Sequence, residues 1–307
     1  MKKFSLLFAI FIIGSSVFAQ EDPDGSTLGQ PVRPPVETPW KQLDIGTFSQ
    51  PVPYSHQRQN DVMYYITIWR TIDLREKMNH PLYFPVEQRG TWRSLAQVIL
   101  DAIDINNPDN PDALPVYTTE FCDVRQDREN LMAAMVTTTT MDIIDPETGE
   151  VIGSQDIISE HRSSEILSYR LKEVWFFDKQ RSVMEVRILE IEPIIEYVRE
   201  TNAFAEEDEE LVTGVTSMKR LGYIMYDELR PYLVQQEVFN VKNNAQRLSL
   251  DDVLTFKRQF NSYIYAEDNV YGQRYINEYI ANPRDQRIES ERITNEIRVF
   301  EHDLWEF

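Results

Sequence analysis

Apolar residues recur at every second position through the middle of the chain, and at every third or fourth position toward its C-terminus. The first period belongs to a half-buried strand, the second to an amphipathic helix. In the middle, "MVTTTTMDII" (Met135–Ile144) and "VIGSQDII" (Val151–Ile158) flank "DPETGE", which predicts a hairpin. A second pair, "ILSYRLKEVWFF" (Ile166–Phe177) and "SVMEVRILEIE" (Ser182–Glu192), brackets "DKQR". Met184, Val186 and Ile188 share one face, after which Leu189 and Ile191 take the apolar positions. A one-residue slip of this kind predicts a bulge near Ile188 and Leu189. Pro193 has no amide proton to give to a ladder, so pairing is expected to weaken there.

Helical spacing frames this centre. Val62, Ile66, Trp69 and Ile72 or Asp73 predict a helix capped by Asn60 or Asp61, although "YYITIW" (Tyr64–Trp69) is β-branched and aromatic and also suits a strand. An extended run is expected at Leu82–Val86. Thr91 or Ser94 then caps a helix with Leu95, Val98, Ile99 and Ala102 on one face. Asp104–Tyr117 reads as a loop ending in a short strand, and Glu200–Gly214 as an acidic solvated loop. The chain beyond that loop reads as helical again. "SLDD" (Ser249–Asp252) matches a capping box ahead of Leu250, Val253 and Leu254. Ile293, Ile297, Phe300 and Leu304 form a stripe on a last helix.

A shift of 155 residues superimposes Met63, Leu74, Arg75, Phe84, Val86, Ser94, Leu95 and Val98 on Met218, Leu229, Arg230, Phe239, Val241, Ser249, Leu250 and Val253 without a gap. The expected class is α+β: central antiparallel hairpins (131–199) flanked by two similar helix-rich lobes (59–130 and 212–270) within a globular part spanning 59–307. An extended Pro-rich arm (20–58) precedes it. That arm has no periodicity, yet it carries Trp40, Ile45 and Phe48, large apolar residues suited to docking on a neighbour. With the stripe Ile293, Ile297, Phe300 and Leu304, these are the candidate partner-interface residues.

Residues 1–19 read as a cleaved secretory signal: Lys2 and Lys3, the apolar run Leu6–Ile13, then Val17-Phe18-Ala19. The residue after the cut is Gln20, not Cys, so no lipoprotein anchor is expected. Removing that segment takes away two lysines and no acid, which moves the formal charge from −20 to −22. Such a chain repels nucleic acid and anionic lipid, and no membrane insertion is expected. The single cysteine, Cys122, excludes an intramolecular disulfide.

Signatures of catalysis are missing. The chain has no phosphate-binding glycine loop, no G-x-S-x-G, no H-E-x-x-H and no C-x-x-C. His56, His80, His161 and His302 are not at metal-ligand spacing on one helix, and Asp101–Asp112 lacks the glycine and terminal glutamate of an EF-hand. Glu190 and Glu192, at i and i+2 of one strand, would suit an acid–base pair, but a polar surface strip is the simpler reading. His161 beside Ser163 and Ser164 lacks a motif that would supply an oxyanion hole. The expectation is a non-enzyme with no cofactor and no metal.

Three stretches carry a resemblance: "EVWFFDKQRSVMEVRILEIEPI" (Glu173–Ile194), "WRTIDLREKMNHPLYFP" (Trp69–Pro85) and "TWRSLAQVI" (Thr91–Ile99). Together they resemble the GldN/PorN family of gliding-motility proteins, periplasmic components of the type IX secretion system of Bacteroidetes. The run after "RI", "LEIEPIIEY", is more acidic than usual for that family. The resemblance implies a structural subunit of a periplasmic ring. Its implied partners are a GldK/PorK-like outer-membrane lipoprotein, the GldM/PorM-like motor component and neighbouring copies of itself. The alternative is a periplasmic module that binds a peptide or solute in an aromatic-lined cleft between the lobes.

Overall fold

The computed structural model describes residues 50–89, 92–104, 110, 113–144, 151–199, 215–239, 248–268 and 274–303. Six strands form one antiparallel sheet: β1 (Val62–Asp73), β4 (Ile166–Asp178), β5 (Val183–Arg199), β6 (Val215–Arg220), β7 (Ile224–Met225) and β10 (Tyr263–Glu267). Their order is β10-β1-β4-β5-β6, with β7 also beside β5. The strands β2 (Val136–Ile144) and β3 (Val151–Glu160) form a separate hairpin, and β8 (Glu237–Val238) pairs with β9 (Leu248–Ser249). The helices are α1 (His80–Tyr83), α2 (Leu95–Ile103), α3 (Arg128–Ala134), α4 (Tyr226–Val234), α5 (Ile276–Tyr279) and α6 (Pro283–Asp303). The fold is α+β.

Both predicted hairpins form. The predicted bulge does too: Lys172 faces Glu190 and Glu173 faces Ile188, which leaves Leu189 as the extra residue. The helix expected after Asp61 is instead β1. Its β-branched and aromatic side chains suit a pleated surface, and eleven of its residues find partners on β4. The residues that point inward are Ile66, Ile68, Arg70 and Ile72, a period of two that the helical count had split. The run expected to be extended at Leu82–Val86 begins instead with the last turn of α1, and becomes extended only at Phe84. Residues 200–214, read from the sequence as an acidic loop, lie outside the described residues; beyond them the chain returns as strands β6 and β7 before it becomes helical in α4.

Pro193 does not interrupt the pairing with β4, where it faces Tyr169. Its carbonyl accepts from the Leu221 amide at 3.1 Å, so its missing N–H lies on that other side. There β5 changes partner, from β6 to β7. The chain turns between these two strands at Gly222, whose φ of 125° is open to glycine alone.

Opposed residues of an antiparallel pair share a face, which separates the sheet into two surfaces. The inner surface includes Ile72, Tyr169, Leu171, Ile188, Ile191 and Ile195, packed with Leu95 and Ile99 of α2 and Leu229 and Leu233 of α4. Ser94 caps α2 as predicted: its hydroxyl accepts from the Gln97 amide, and the Gln97 side chain accepts from the Ser94 amide. Ser249 and Asp252 make the second capping box, followed by a π-helical turn, Asp252–Phe256. The 155-residue shift therefore pairs cap with cap, and strand with strand at Met63 and Met218. In between it sets Leu74, just past β1, against Leu229 within α4. Leu250, Val253 and Leu254 join the same core as α2.

A second, smaller cluster holds Ile68, Ile264, Ile276, Ile293 and Ile297, with Ile66 and Trp175 packed against it. Along the inner face of β1 the order is Ile68, Arg70, Ile72; along β4 it is Trp175, Glu173, Leu171. Arg70 and Glu173 thus lie where the two clusters meet. Glu173 is 0% exposed. It accepts from Arg258 Nη2 at 2.7 and 2.9 Å and from Trp175 Nε1 at 2.9 Å, and Arg70 Nε stands 3.1 Å away. Both guanidinium groups stack on the Trp175 ring, at 5.1 and 5.5 Å. A charged seam of this kind cannot be crossed by apolar packing, so α6 has a hydrophobic anchorage separate from the main core.

Candidate functional site

The outer surface of the sheet concentrates polar chemistry. Trp69, Lys172 and Glu190 stand in one row across β1, β4 and β5, and Thr71, Arg170 and Glu192 in the next. The bulge at Leu189 is what puts both glutamates on this face, because it restores the alternation one residue late. The segment 117–125 lies over the first row. Its stem is fixed by two backbone hydrogen bonds between Tyr117 and Tyr223, at 2.8 and 2.9 Å, and by Thr118 N donating to Val124 O at 2.9 Å. Its tip is held by Glu120. The Glu120 carboxylate accepts from Trp69 Nε1 at 2.7 Å and lies 3.4 Å from Lys172 Nζ, while its backbone carbonyl accepts from Lys172 at 3.2 Å. Phe121 is 77% exposed, with its ring 5.2 Å from the same ammonium.

The surface strip expected of Glu190 and Glu192 is not what forms. Only 7% of Glu190 and 2% of Glu192 is exposed. The sequence signal was blind here, because alternation shows which residues share a face but not what covers it. Glu190 accepts from Lys172 at 3.1 Å. Glu192 has Arg170 at 3.6 Å and Arg220 at 3.7 Å, both beyond hydrogen-bond length. Glu190 Oε2 and Glu192 Oε1 are buried with no hydrogen-bond partner among the protein atoms.

Burial pushes the Glu190 carboxyl above its ordinary value, opposed by Lys172. Burial does the same at Glu192 against Arg220 and Arg170. The Tyr223 phenol is pushed up to about 12, by burial first and Glu192 second. The Cys122 thiol rises to about 11, again by burial and then by Glu190. Trp69, Glu120, Arg170, Lys172, Tyr223 and Tyr265 enclose the pair around a cavity of about 10 Å³. That is room for about one water molecule and excludes an organic substrate. The cluster can hold and release a proton; it has no space in which to transform a ligand.

His161 begins a second hydrogen-bonded chain. Its Nε2 is 2.7 Å from Thr137 Oγ1 and its Nδ1 is 2.5 Å from Glu165 Oε2. The order hydroxyl, imidazole, carboxylate is that of a nucleophile relay. The imidazole is buried and stacks on Tyr197 at 4.9 Å. His161 N donates to Met135 O, and Lys219 Nζ donates to Val136 O at 2.5 Å. The contacts to Thr137 and Met135 close the root of the β2–β3 hairpin, and those of Tyr197 and Lys219 tie it to the main sheet. Ser163 and Ser164, adjacent in sequence, are not in the chain. Among the described residues no group of three or more His, Cys, Asp and Glu is arranged to hold a metal ion. Most of Asp101–Asp112, the stretch weighed for calcium, lies outside the described residues.

Of the candidate interface residues, Trp40, Ile45, Phe48 and Leu304 lie outside the described residues. Ile293 and Ile297 are buried against β1 and β10 within this chain, and the Phe300 ring sits 4.3 Å from that of Tyr64. While α6 stays docked, Ile293 and Ile297 are covered by the chain itself, and Phe300 is half-buried. The exposed apolar residues that the spacing did not single out include Tyr65, on the outer surface of the sheet beyond the 117–125 segment, and Met63, the unpaired residue at the register shift of β1. No helix among the described residues is long and apolar enough to cross a membrane. No curated protein matches the chain. A family model described as "Gliding motility associated protein GldN" matches residues 57–306.

Proposed function

The chain belongs to the GldN family of gliding motility associated proteins, and from that premise we propose that it is a non-enzymatic structural subunit of a periplasmic ring in the type IX secretion machinery. The family match, which covers all of the main sheet and both hydrophobic clusters, carries this reading. In it the chain is exported by its N-terminal signal and held at the outer membrane by a lipoprotein partner. It contacts the motor component, and its copies join edge to edge.

Three features support a scaffold role. Buried carboxylates at Glu190 and Glu192 face a cavity too small for a substrate. Helices cover one side of the sheet, while the other presents Tyr65 and Phe121, the kind of exposed apolar surface that marks protein contact sites. The β2–β3 hairpin forms a two-stranded sheet of its own, and such a ribbon is marginal in water unless something packs on it. A solute binder would instead need a cleft between the lobes. Among the described residues the capped helices of both lobes are packed into one core.

The test is affinity purification of the tagged full-length protein from its native envelope, followed by imaging. Recovery of a ring with an outer-membrane lipoprotein and an inner-membrane motor component is the expected result. Recovery of a monomer with neither would overturn the proposal. Deleting residues 21–50, the arm with Trp40, Ile45 and Phe48, is expected to weaken ring assembly while leaving the folded part intact.

A further inference from the structure

The outer-face cluster leaves two buried carboxylate oxygens unsatisfied. Glu190 and Glu192 line the same small cavity, and neither Glu190 Oε2 nor Glu192 Oε1 receives a hydrogen bond from the protein. Two ionised carboxylates cannot satisfy one another. A proton on one of them turns an acceptor into a donor, so that one O–H, directly or through a single water, serves both orphaned oxygens. Glu192 is the better seat. Its cationic neighbours are beyond hydrogen-bond reach, whereas Glu190 already accepts from Lys172.

We propose that the Glu190–Glu192 cavity is a proton-binding site, occupied by one proton on Glu192, and that losing this proton releases the tip of the 117–125 segment from the outer face of the sheet. The O–H bond of the carboxyl breaks, the proton passes to solvent, and a second full negative charge stays in the cavity.

The consequence follows from which groups can move. The groups facing the cavity are Glu120 from the segment, Trp69 from β1, Arg170 and Lys172 from β4 and Glu190 and Glu192 from β5. Arg220 from β6, Tyr223 from the turn after it and Tyr265 from β10 complete the set. Cys122 and Asp123 belong to the segment itself, and Glu228 of α4 is near enough to raise the Cys122 thiol. The strand residues are fixed by the ladder. Glu120 is not: it shares Lys172 with Glu190, and its contacts to Lys172 and Trp69, with the Phe121 ring over the same ammonium, hold the tip down. When Glu192 ionises, its charge repels the Glu120 carboxylate, and Glu120, on the movable segment, is the one displaced. The Tyr117–Tyr223 bridge limits the movement to about residues 119–123. Lifting that tip uncovers Trp69 and Lys172 and exposes Cys122. Burial raises the pKa of both glutamates, the direction that favours the protonated form.

Cys122 is the chain's only cysteine, so thiol labelling of the full protein reads one site. Labelling of wild type and Glu192→Gln is compared across a pH series. In the variant, the rate follows thiolate formation alone, about tenfold per pH unit. In wild type, the ratio to the variant is expected to grow by up to about tenfold per pH unit above the transition, as one further proton is lost. Parallel profiles overturn the proposal. Infrared spectra of the wild type are expected to show a protonated carboxyl band at neutral pH that Glu192→Gln removes. A wild-type spectrum without that band also overturns it, whether or not the variant folds. Neither readout depends on ring assembly, so this inference can fail while the scaffold role stands.

Discussion

Replacing Glu173 by Gln keeps the shape of the side chain and removes one charge from the seam between the two hydrophobic clusters. The wild-type carboxylate receives hydrogen bonds from Arg258 and Trp175 and faces the Arg70 guanidinium, which is 8% exposed. Burial already pulls the Arg70 guanidinium below its ordinary value, and Glu173 opposes that pull. In the variant, Arg70 keeps the Ser262 hydroxyl at 3.2 Å, the Trp175 ring and at most the neutral amide oxygen of the new side chain. Breaking a buried ion pair by removing one partner costs about 3–5 kcal/mol. The stacking that remains is worth only about 0.5–2 kcal/mol and is present before and after. A loss of that size is a large part of a typical total of about 5–15 kcal/mol. In urea it corresponds to a midpoint lower by roughly 1–3 M. Arg258 is more exposed, and in Arg258→Met the Glu173 carboxylate keeps Arg70 and Trp175, so that variant should cost only about 1–2 kcal/mol. The double variant should show clear coupling between the two sites. A Glu173→Gln loss below about 1 kcal/mol, or an Arg258→Met loss equal to it, would refute the seam as described.

Four further outcomes can be checked by denaturation. Glu192→Gln should be at least as stable as wild type at neutral pH: a carboxyl whose folded pKa is raised contributes fully below its unfolded pKa, and that contribution fades as pH rises through the folded value. The variant should therefore lose part of the decline in stability above about pH 4.5, and an unchanged pH profile counts against the buried pair. Ile293→Ala should cost about 2–5 kcal/mol and raise hydrogen exchange in α6 and β10 before it does in α2 and α4, since the two clusters are separate. Ser94→Ala should cost about 1 kcal/mol through loss of its capping box, with no effect on the outer-face cluster. Gly222→Ala should cost more than about 1 kcal/mol, because a Cβ there would stand 2.5 Å from Val116 Cγ1 at a φ that other residues rarely adopt.

How far the chain could be read without its structure depended on the range of the interactions involved. The hairpins, the bulge at Leu189 and the caps at Ser94 and Ser249 were legible because each rests on residues within a few positions of one another. Strand β1 was misread because isoleucine and tryptophan at positions 66, 69 and 72 satisfy a helical count, while the fact that decides against it, a long ladder with β4, lies about a hundred residues away. The acidic pair showed the same limit. Its spacing placed Glu190 and Glu192 on one face, but the segment that buries them comes from residues 117–125 and Tyr223.

The sequence alone determined the alternating centre, the capped helices, the acidic balance and the family, since each is written in local pattern or in long runs of residues. Only the tertiary structure decided which face of the sheet is inner and which outer. It alone also revealed the charged seam of Arg70, Glu173 and Arg258 and the two orphaned carboxylate oxygens on the opposite side. The physical reason is the same in each case. Burial is a property of what covers a residue, and here the covering elements arrive from distant parts of the chain.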